Sequence, residues 1–158
     1  MAADRKPLGA QRFARAIVIA AALAAAGCSS TPDAPADPVG DADRALVRGY
    51  FERLNAAGAA GPAPQAEFLR TTQHPDFTSR LCELGALTVA MEPALSTLRP
   101  DPRWRPDGTA APPRGRVYVL GVRVTVRRNG TAVGEQVGSQ RVVVTNDTAY
   151  GFSPCLNR

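Results

Sequence analysis

Few residues in this chain are equipped for chemistry, and they fall into two groups. The only histidine, His74, is followed two positions later by Asp76. An imidazole next to a carboxylate is a minimal set for proton transfer, because the ring titrates near neutral pH and the carboxylate can orient it. The second group is three cysteines, Cys28, Cys82 and Cys155, whose thiols can serve as nucleophile, bridge or attachment point. The sequence contains no glycine-rich phosphate loop, no His/Cys cluster with metal-ligand spacing and no nucleophile elbow. No cofactor or metal is therefore expected.

Cys28 takes its meaning from what precedes it. Arg5, Lys6, Arg12 and Arg15 form a basic front, Ala16 to Ala26 is an unbroken apolar run, and small residues (Ala25, Ala26, Gly27) lead up to the thiol. The run is far shorter than the ~20 residues a bilayer-spanning helix needs, so it reads as an export signal rather than a permanent anchor. No consecutive arginine pair precedes the run, which favours the general secretory route. Small-small-Gly-Cys resembles the lipobox of bacterial lipoproteins. That resemblance implies a signal peptide over 1–27, and a Cys28 carrying diacylglyceryl and fatty acyl groups such as palmitate. The alternative is an ordinary cleaved signal with a chance cysteine. The expected location is outside the cell, lipid-anchored to the outer face of the cytoplasmic membrane. The net charge of +5 then shrinks to about +2, because the leader holds four positive side chains and one negative. That is too little to argue for nucleic acid as a partner.

With Cys28 assigned to lipid, Cys82 and Cys155 are left as an even pair in an oxidising compartment. One bridge closing a loop of roughly 70 residues is the expectation. Two buried free thiols are the alternative, and a catalytic thiol is disfavoured because neither cysteine has a histidine near it in sequence.

The elements that would position these groups follow from periodicity. Residues 28–40 are small and proline-rich and read as a flexible linker. A single domain over 41–158 opens with a helix whose start Asp41 or Asp43 caps. Leu46, Val47, Tyr50, Phe51 and Leu54 form its apolar stripe and Gly58 its stop. A short helix over Pro64–Arg70 follows, then a third from an Asp76 cap to about Leu84, ended by Gly85. Leu87–Met91 has strand composition, with a helix over 86–92 as the rival, and Pro93 breaks it. The proline-studded segment Arg99–Arg114 reads as an irregular loop. Val117–Arg127 alternates as a half-buried strand, Asn129-Gly130 supplies a type I′ hairpin turn, and the return strand carries two valine pairs of opposite parity. A one-residue bulge near Gly138 would bring Val133 and Val137 onto the face of Val142 and Val144. Asn146-Asp147 turns the chain into a last strand in which Thr148, Tyr150 and Phe152 alternate.

Helices followed by long antiparallel strands are α+β: N-terminal helices packed in a curved, bulged antiparallel sheet of three to four strands. This order looks like the cystatin-like cone shared by nuclear transport factor two and ketosteroid isomerase. The stretches Tyr50–Ala57, Arg80-Leu81-Cys82 and Gly151–Cys155 resemble uncharacterised exported lipoproteins of high-GC Gram-positive bacteria with such a domain. The resemblance implies a concave apolar pocket, for which Tyr50, Phe68, Tyr118, Tyr150 and Phe152 are the lining candidates. Enzymes of that fold hold a carboxylate or a His–Asp pair inside the cone, which makes His74 and Asp76 weak catalytic candidates. Capping by Asp76 and a solvent-facing His74 are the simpler roles. The His-Pro-Asp triplet is also similar to that of J-domain co-chaperones, but the surrounding helical hairpin is missing.

Two function classes follow. The first is a non-enzymatic envelope lipoprotein, whose partners are the membrane, through the lipid on Cys28, and a small apolar ligand or an envelope protein. The second is a small hydrolase, isomerase or dehydratase using His74 and Asp76. Trp104 with Arg99, Arg103, Arg105 and Arg114 adds a possible contact to an acidic polymer, against the simpler role of covering one end of the core.

Overall fold

A computed structural model describes residues 39–155. The leader, Cys28 and the linker up to residue 38 lie outside the described residues, as do residues 156–158. The described chain is α+β, two helices followed by a curved, open antiparallel sheet of four strands in the order β1-β2-β3-β4.

Helix α1 spans Asp41–Ala60 and buries Val47, Tyr50, Phe51 and Leu54 on one stripe. Neither Asp41 nor Asp43 caps it. The N-cap is Gly40, without a side-chain cap, and Asp43 is used elsewhere. Gly58 does not stop the helix, which runs on to Gly61 at φ 125°. A Cβ on Gly58 would lie 2.6 Å from Gln65 Nε2 and 2.9 Å from the Val89 carbonyl, so this glycine is needed for close approach. Helix α2, Pro62–Thr72, extends the expected Pro64–Arg70 at both ends, with Pro62 in the first turn where its missing N–H is no loss. The third helix is shorter than expected, a 3-10 helix over Pro75–Arg80 capped by His74 rather than by Asp76. Gly85, at φ 61°, serves the turn into the sheet instead of a helix end.

Strand β1 runs over Leu87–Pro100, so residues 86–92 lead into a strand, and Pro93 does not break it. The reason is position: β1 is an edge strand, and alternate backbone groups there face away from β2, where a missing N–H costs nothing. Arg99 and Pro100 belong to this strand, pairing with Val119 and Tyr118, and only the remainder of the proline-rich segment is irregular. Between Ala94 and Arg99 the register shifts, and the Gly121 N–H bonds Thr97 Oγ1 at 2.8 Å.

Strands β2 (Arg116–Arg128) and β3 (Thr131–Thr145) form the long hairpin, turned by Asn129 and Gly130 at φ 49° and 81°. The bulge is not near Gly138. Pairing is unbroken from Val126–Gly134 to Arg116–Val144, and the extra residue is Val133, beside the turn. Val137 therefore stays opposite Arg123, away from the face of Val142 and Val144. β4 is short, Thr148–Tyr150, and Phe152 lies beyond it.

Two layers of packing result. On the concave face, Val89, Met91, Leu120, Val122, Val142 and Val144 close over the stripe of α1 and Leu69 of α2. On the opposite face Val117, Val119 and Val143 are also buried, beside the irregular segment that follows β1. That segment is tied down by Asp101 N–H on the Val117 carbonyl, by an Arg141–Asp101 pair at 3.3 Å and by Trp104, which meets Phe152 edge-on at 4.9 Å. Cys82 and Cys155 lie at disulfide-bonding distance, with their Cα atoms 5.2 Å apart across 73 residues.

Candidate binding cleft

Asp43 sits in the first turn of α1, and Arg116 opens β2. Seventy-three residues separate them, and the fold joins them: Arg116 Nε and Nη2 donate to the two carboxylate oxygens of Asp43 at 2.6 and 2.7 Å. Two residues along β2, and so on the same face, the Tyr118 hydroxyl donates to the same carboxylate. Gly115 allows this entry into the strand. At φ 118° it adopts a conformation closed to side chains, and a Cβ there would meet Val143 Cγ1 at 2.7 Å.

The electrostatics follow from the geometry. The Arg116 guanidinium holds the Asp43 carboxyl below the usual carboxylate range, reinforced by Tyr118 and opposed by burial. Arg116 is raised by the same contact, while burial and then the Asp43 hydrogen bond push the Tyr118 phenol up. The Asp43 side chain is 11% exposed and that of Arg116 59%, so the guanidinium is pinned along one edge and open along the other.

Above this network lies a cleft of about 610 Å³. Pro100, Pro102, Pro112 and Pro113 wall it, with Gly40 and Ala42 at its rim. It can seat a small molecule with an apolar body and offer a planar donor to an acceptor at one end.

A carboxylate whose folded pKa is lowered contributes stability that is complete above its unfolded value and fades as pH falls through the folded one. Asp43 is therefore expected to stabilise the domain fully at neutral pH and to lose that contribution progressively as pH falls below about 4 and through its lowered folded value. Asp43→Asn should cost about 1–3 kcal/mol at pH 7, and the gap to the parent chain should close on acidification. Urea unfolding of both chains across pH 2.5–7 measures this; a gap that is constant with pH would remove the ionic contribution.

The catalytic candidates are placed differently. His74 is 1% exposed, with Nε2 on the Arg114 carbonyl at 3.0 Å and Nδ1 accepting from the Asp76 N–H at 3.2 Å. Nδ1 is thus the acceptor and Nε2 the donor, with both nitrogens engaged. It stacks on Phe152 at 5.9 Å and packs near Phe77 and Tyr150. Asp76 is held by Arg114 Nε at 3.0 and 3.1 Å, which lowers its pKa. The solvent-facing histidine expected from the sequence is instead a buried cap and aromatic packing element. Both ring nitrogens of His74 are engaged, and Asp76, at 29% exposure, is paired with Arg114.

The five lining candidates are not brought together. Tyr50 is 2% exposed in the core, edge-on to Phe51 and tilted on Phe68. Burial raises its phenol to about 12. Tyr150 and Phe152 lie with His74, and of the five only Tyr118 lines the cleft. Sequence reasoning missed Asp43, taken there as a cap, and Arg116. Neither carries a local signal, since only the hairpin's return across α1 makes them neighbours. Among the described residues no group of three His, Cys, Asp or Glu side chains is placed to hold a metal ion, and no helix is long and apolar enough to cross a membrane.

Comparison with family models, curated proteins and solved structures finds no match.

Proposed function

We propose that this chain is a lipid-anchored envelope protein that binds, without turning over, a small amphipathic ligand in the cleft above Asp43, Arg116 and Tyr118. The observation that carries the reading is the combination of proline walls with a guanidinium fixed along one edge. Apolar rings bury the ligand body, and the remaining Arg116 N–H groups take its carbonyl or carboxylate. Pinning by Asp43 spares the arginine the rotamer entropy it would otherwise lose on binding. The lipid anchor rests on the leader sequence and Cys28. Eleven residues separate Cys28 from Gly40 on the cleft rim, a span of at most roughly 40 Å. A ligand drawn from the membrane surface is within that reach. The cone-like relationship to nuclear transport factor two remains part of this proposal. The enzyme alternative loses ground because His74 and Asp76 are occupied by structural partners.

The test is thermal unfolding of the detergent-solubilised full chain against medium-chain fatty acids, aromatic carboxylates and the corresponding alcohols. Ligands bearing an acceptor head are expected to raise the midpoint, by the equivalent of about 2.7 kcal/mol at a hundredfold excess over Kd. Arg116→Gln should abolish the shift. Equal shifts for acceptor-bearing and plain hydrocarbon probes, or none for either, would overturn the assignment. Intact mass of the exported chain tests the anchor: it should begin at Cys28 and carry the diacylglyceryl addition.

A further inference from the structure

The two edges of the sheet are treated in opposite ways. Along β1 the outward backbone groups are occupied one after another. Gln65 Nε2 donates to the Val89 carbonyl at 2.7 Å while its Oε1 accepts from the Val89 N–H at 2.8 Å. Asn55 does the same for Met91, both at 2.8 Å. Pro93 has no N–H to offer, and Arg44 donates to the Leu95 carbonyl at 2.7 Å. Residues 89, 91, 93 and 95 share one parity, so this edge is closed to any incoming strand.

β3 has no such protection. Only Val143–Thr145 pair with β4, and among the described residues nothing pairs with the outer side of Thr131–Gln140. That stretch contains no proline or lysine, and Glu135 is its only charge. Among the described residues it is also where the two exposed large hydrophobic side chains lie, Val133 at 56% and Val137 at 80%. An edge that is long, nearly uncharged and carries exposed valines is a template for another strand.

We propose that this edge pairs with the same edge of a second copy, antiparallel about a two-fold axis at Val137, so that two four-stranded sheets become one of eight strands. The choice of a second copy rests on complementarity within the strand itself. With the axis at Val137, the two Val137 side chains face each other across the junction. Glu135 lies opposite Ser139 of the second copy, whose hydroxyl can donate to its carboxylate. Val133 lies opposite Arg141, whose guanidinium is held by its own Asp101 and over Trp104, and packs on the aliphatic stem. Both exposed valines and the one edge charge thus find partners in a single register. Shifting the axis to Glu135 would set like charges face to face, and shifting it to Gln136 would press Glu135 against Val137. The overlap, 133–141, ends where β4 begins to occupy the edge. The inference is independent of the cleft, which lies among other elements.

The experiment uses the full chain in its membrane. Val137→Cys, oxidised in membranes, is expected to give a covalent dimer on a non-reducing gel, while Ser96→Cys on exposed β1 gives none. Sedimentation of the detergent-solubilised parent should show twice the chain mass. Val137→Lys, at a side chain that contributes nothing to the core, should weaken association by roughly tenfold or more with an unchanged unfolding midpoint of the monomer. A monomer at the highest concentration reached, or cross-linking at Val137 no greater than at Ser96, would overturn the proposal. So would a monomer in which the β3 amides that do not bond β2 resist hydrogen exchange, which would assign the edge to another segment of the same chain.

Discussion

Serine at both Cys82 and Cys155 is expected to lower the unfolding free energy by about 4 kcal/mol and the thermal midpoint by roughly 15 °C. The bridge closes 73 residues, and in the chain-entropy model a closure of that length removes about 4 kcal/mol of conformational freedom from the unfolded chain. The native side of the balance supports the same region. The Ser153 N–H donates to Gln73 Oε1 at 2.7 Å, Ser153 Oγ to the Cys82 carbonyl at 3.0 Å, and Gln73 Nε2 to the Phe77 carbonyl at 3.0 Å. These bonds seat the chain after β4 against the 3-10 helix, so losing the bridge loosens a segment that also carries Phe152 over His74. Thermal unfolding of the parent with and without reductant should reproduce the drop, and the serine variant should be indifferent to reductant. A loss below about 1 kcal/mol would mean that the segment is held by its hydrogen bonds alone.

The second large effect is at Gln65, which is fully buried although polar. Gln65→Leu keeps the volume and removes every bond the amide makes. Nε2 also donates to the Leu54 carbonyl at 3.2 Å, but that carbonyl lies within α1 and keeps its helical bond, so the groups the substitution strands are the N–H and C=O of Val89. At about 1–3 kcal/mol for each buried group left unpaired, a loss of roughly 3 kcal/mol or more is expected. It should come with faster hydrogen exchange at Val89 and a tendency to aggregate, because the closed edge of β1 is opened. Urea unfolding and exchange by mass spectrometry read the two effects separately. Unchanged exchange at Val89 would show that the edge is protected by something other than this side chain. Parent chains should leave no such orphan: every buried side-chain polar atom among the described residues has a partner.

Much of the architecture was legible because it is written in short-range terms. The stripe of Val47, Tyr50, Phe51 and Leu54 has the helical period, Tyr118 to Val126 alternates, and Asn129-Gly130 demands positive φ, so α1, β2 and the hairpin could be placed residue by residue. Where local preference misleads, one cause is at work. Local preference makes Gly58 a stop, Pro93 a break and Asp43 a cap. Each instead answers to its tertiary surroundings: Gly58 to Gln65 and Val89, Pro93 to a place on the sheet edge where no strand pairs with it, Asp43 to Arg116. The bulge failed for a related reason. Parity calls for one only if Val137 joins the core, whereas Val137 stays exposed opposite Arg123, and the register shift at Val133 belongs to the neighbouring turn.

The candidate site divides along the same line. The α+β order and the shortage of residue types suited to catalysis are legible along the chain, because composition and periodicity are properties of neighbours in sequence. Residue type also singles out His74 and Asp76 as the residues to question. That His74 is a buried cap follows from the folded chain alone, since it depends on the Arg114 carbonyl forty residues away. Tertiary structure alone joined Asp43 to Arg116 beneath a wall of prolines and left one edge of the sheet closed and the other open. Those are matters of which surfaces meet when α1 lies across the sheet, and burial and pairing across such distances are not encoded in any local pattern.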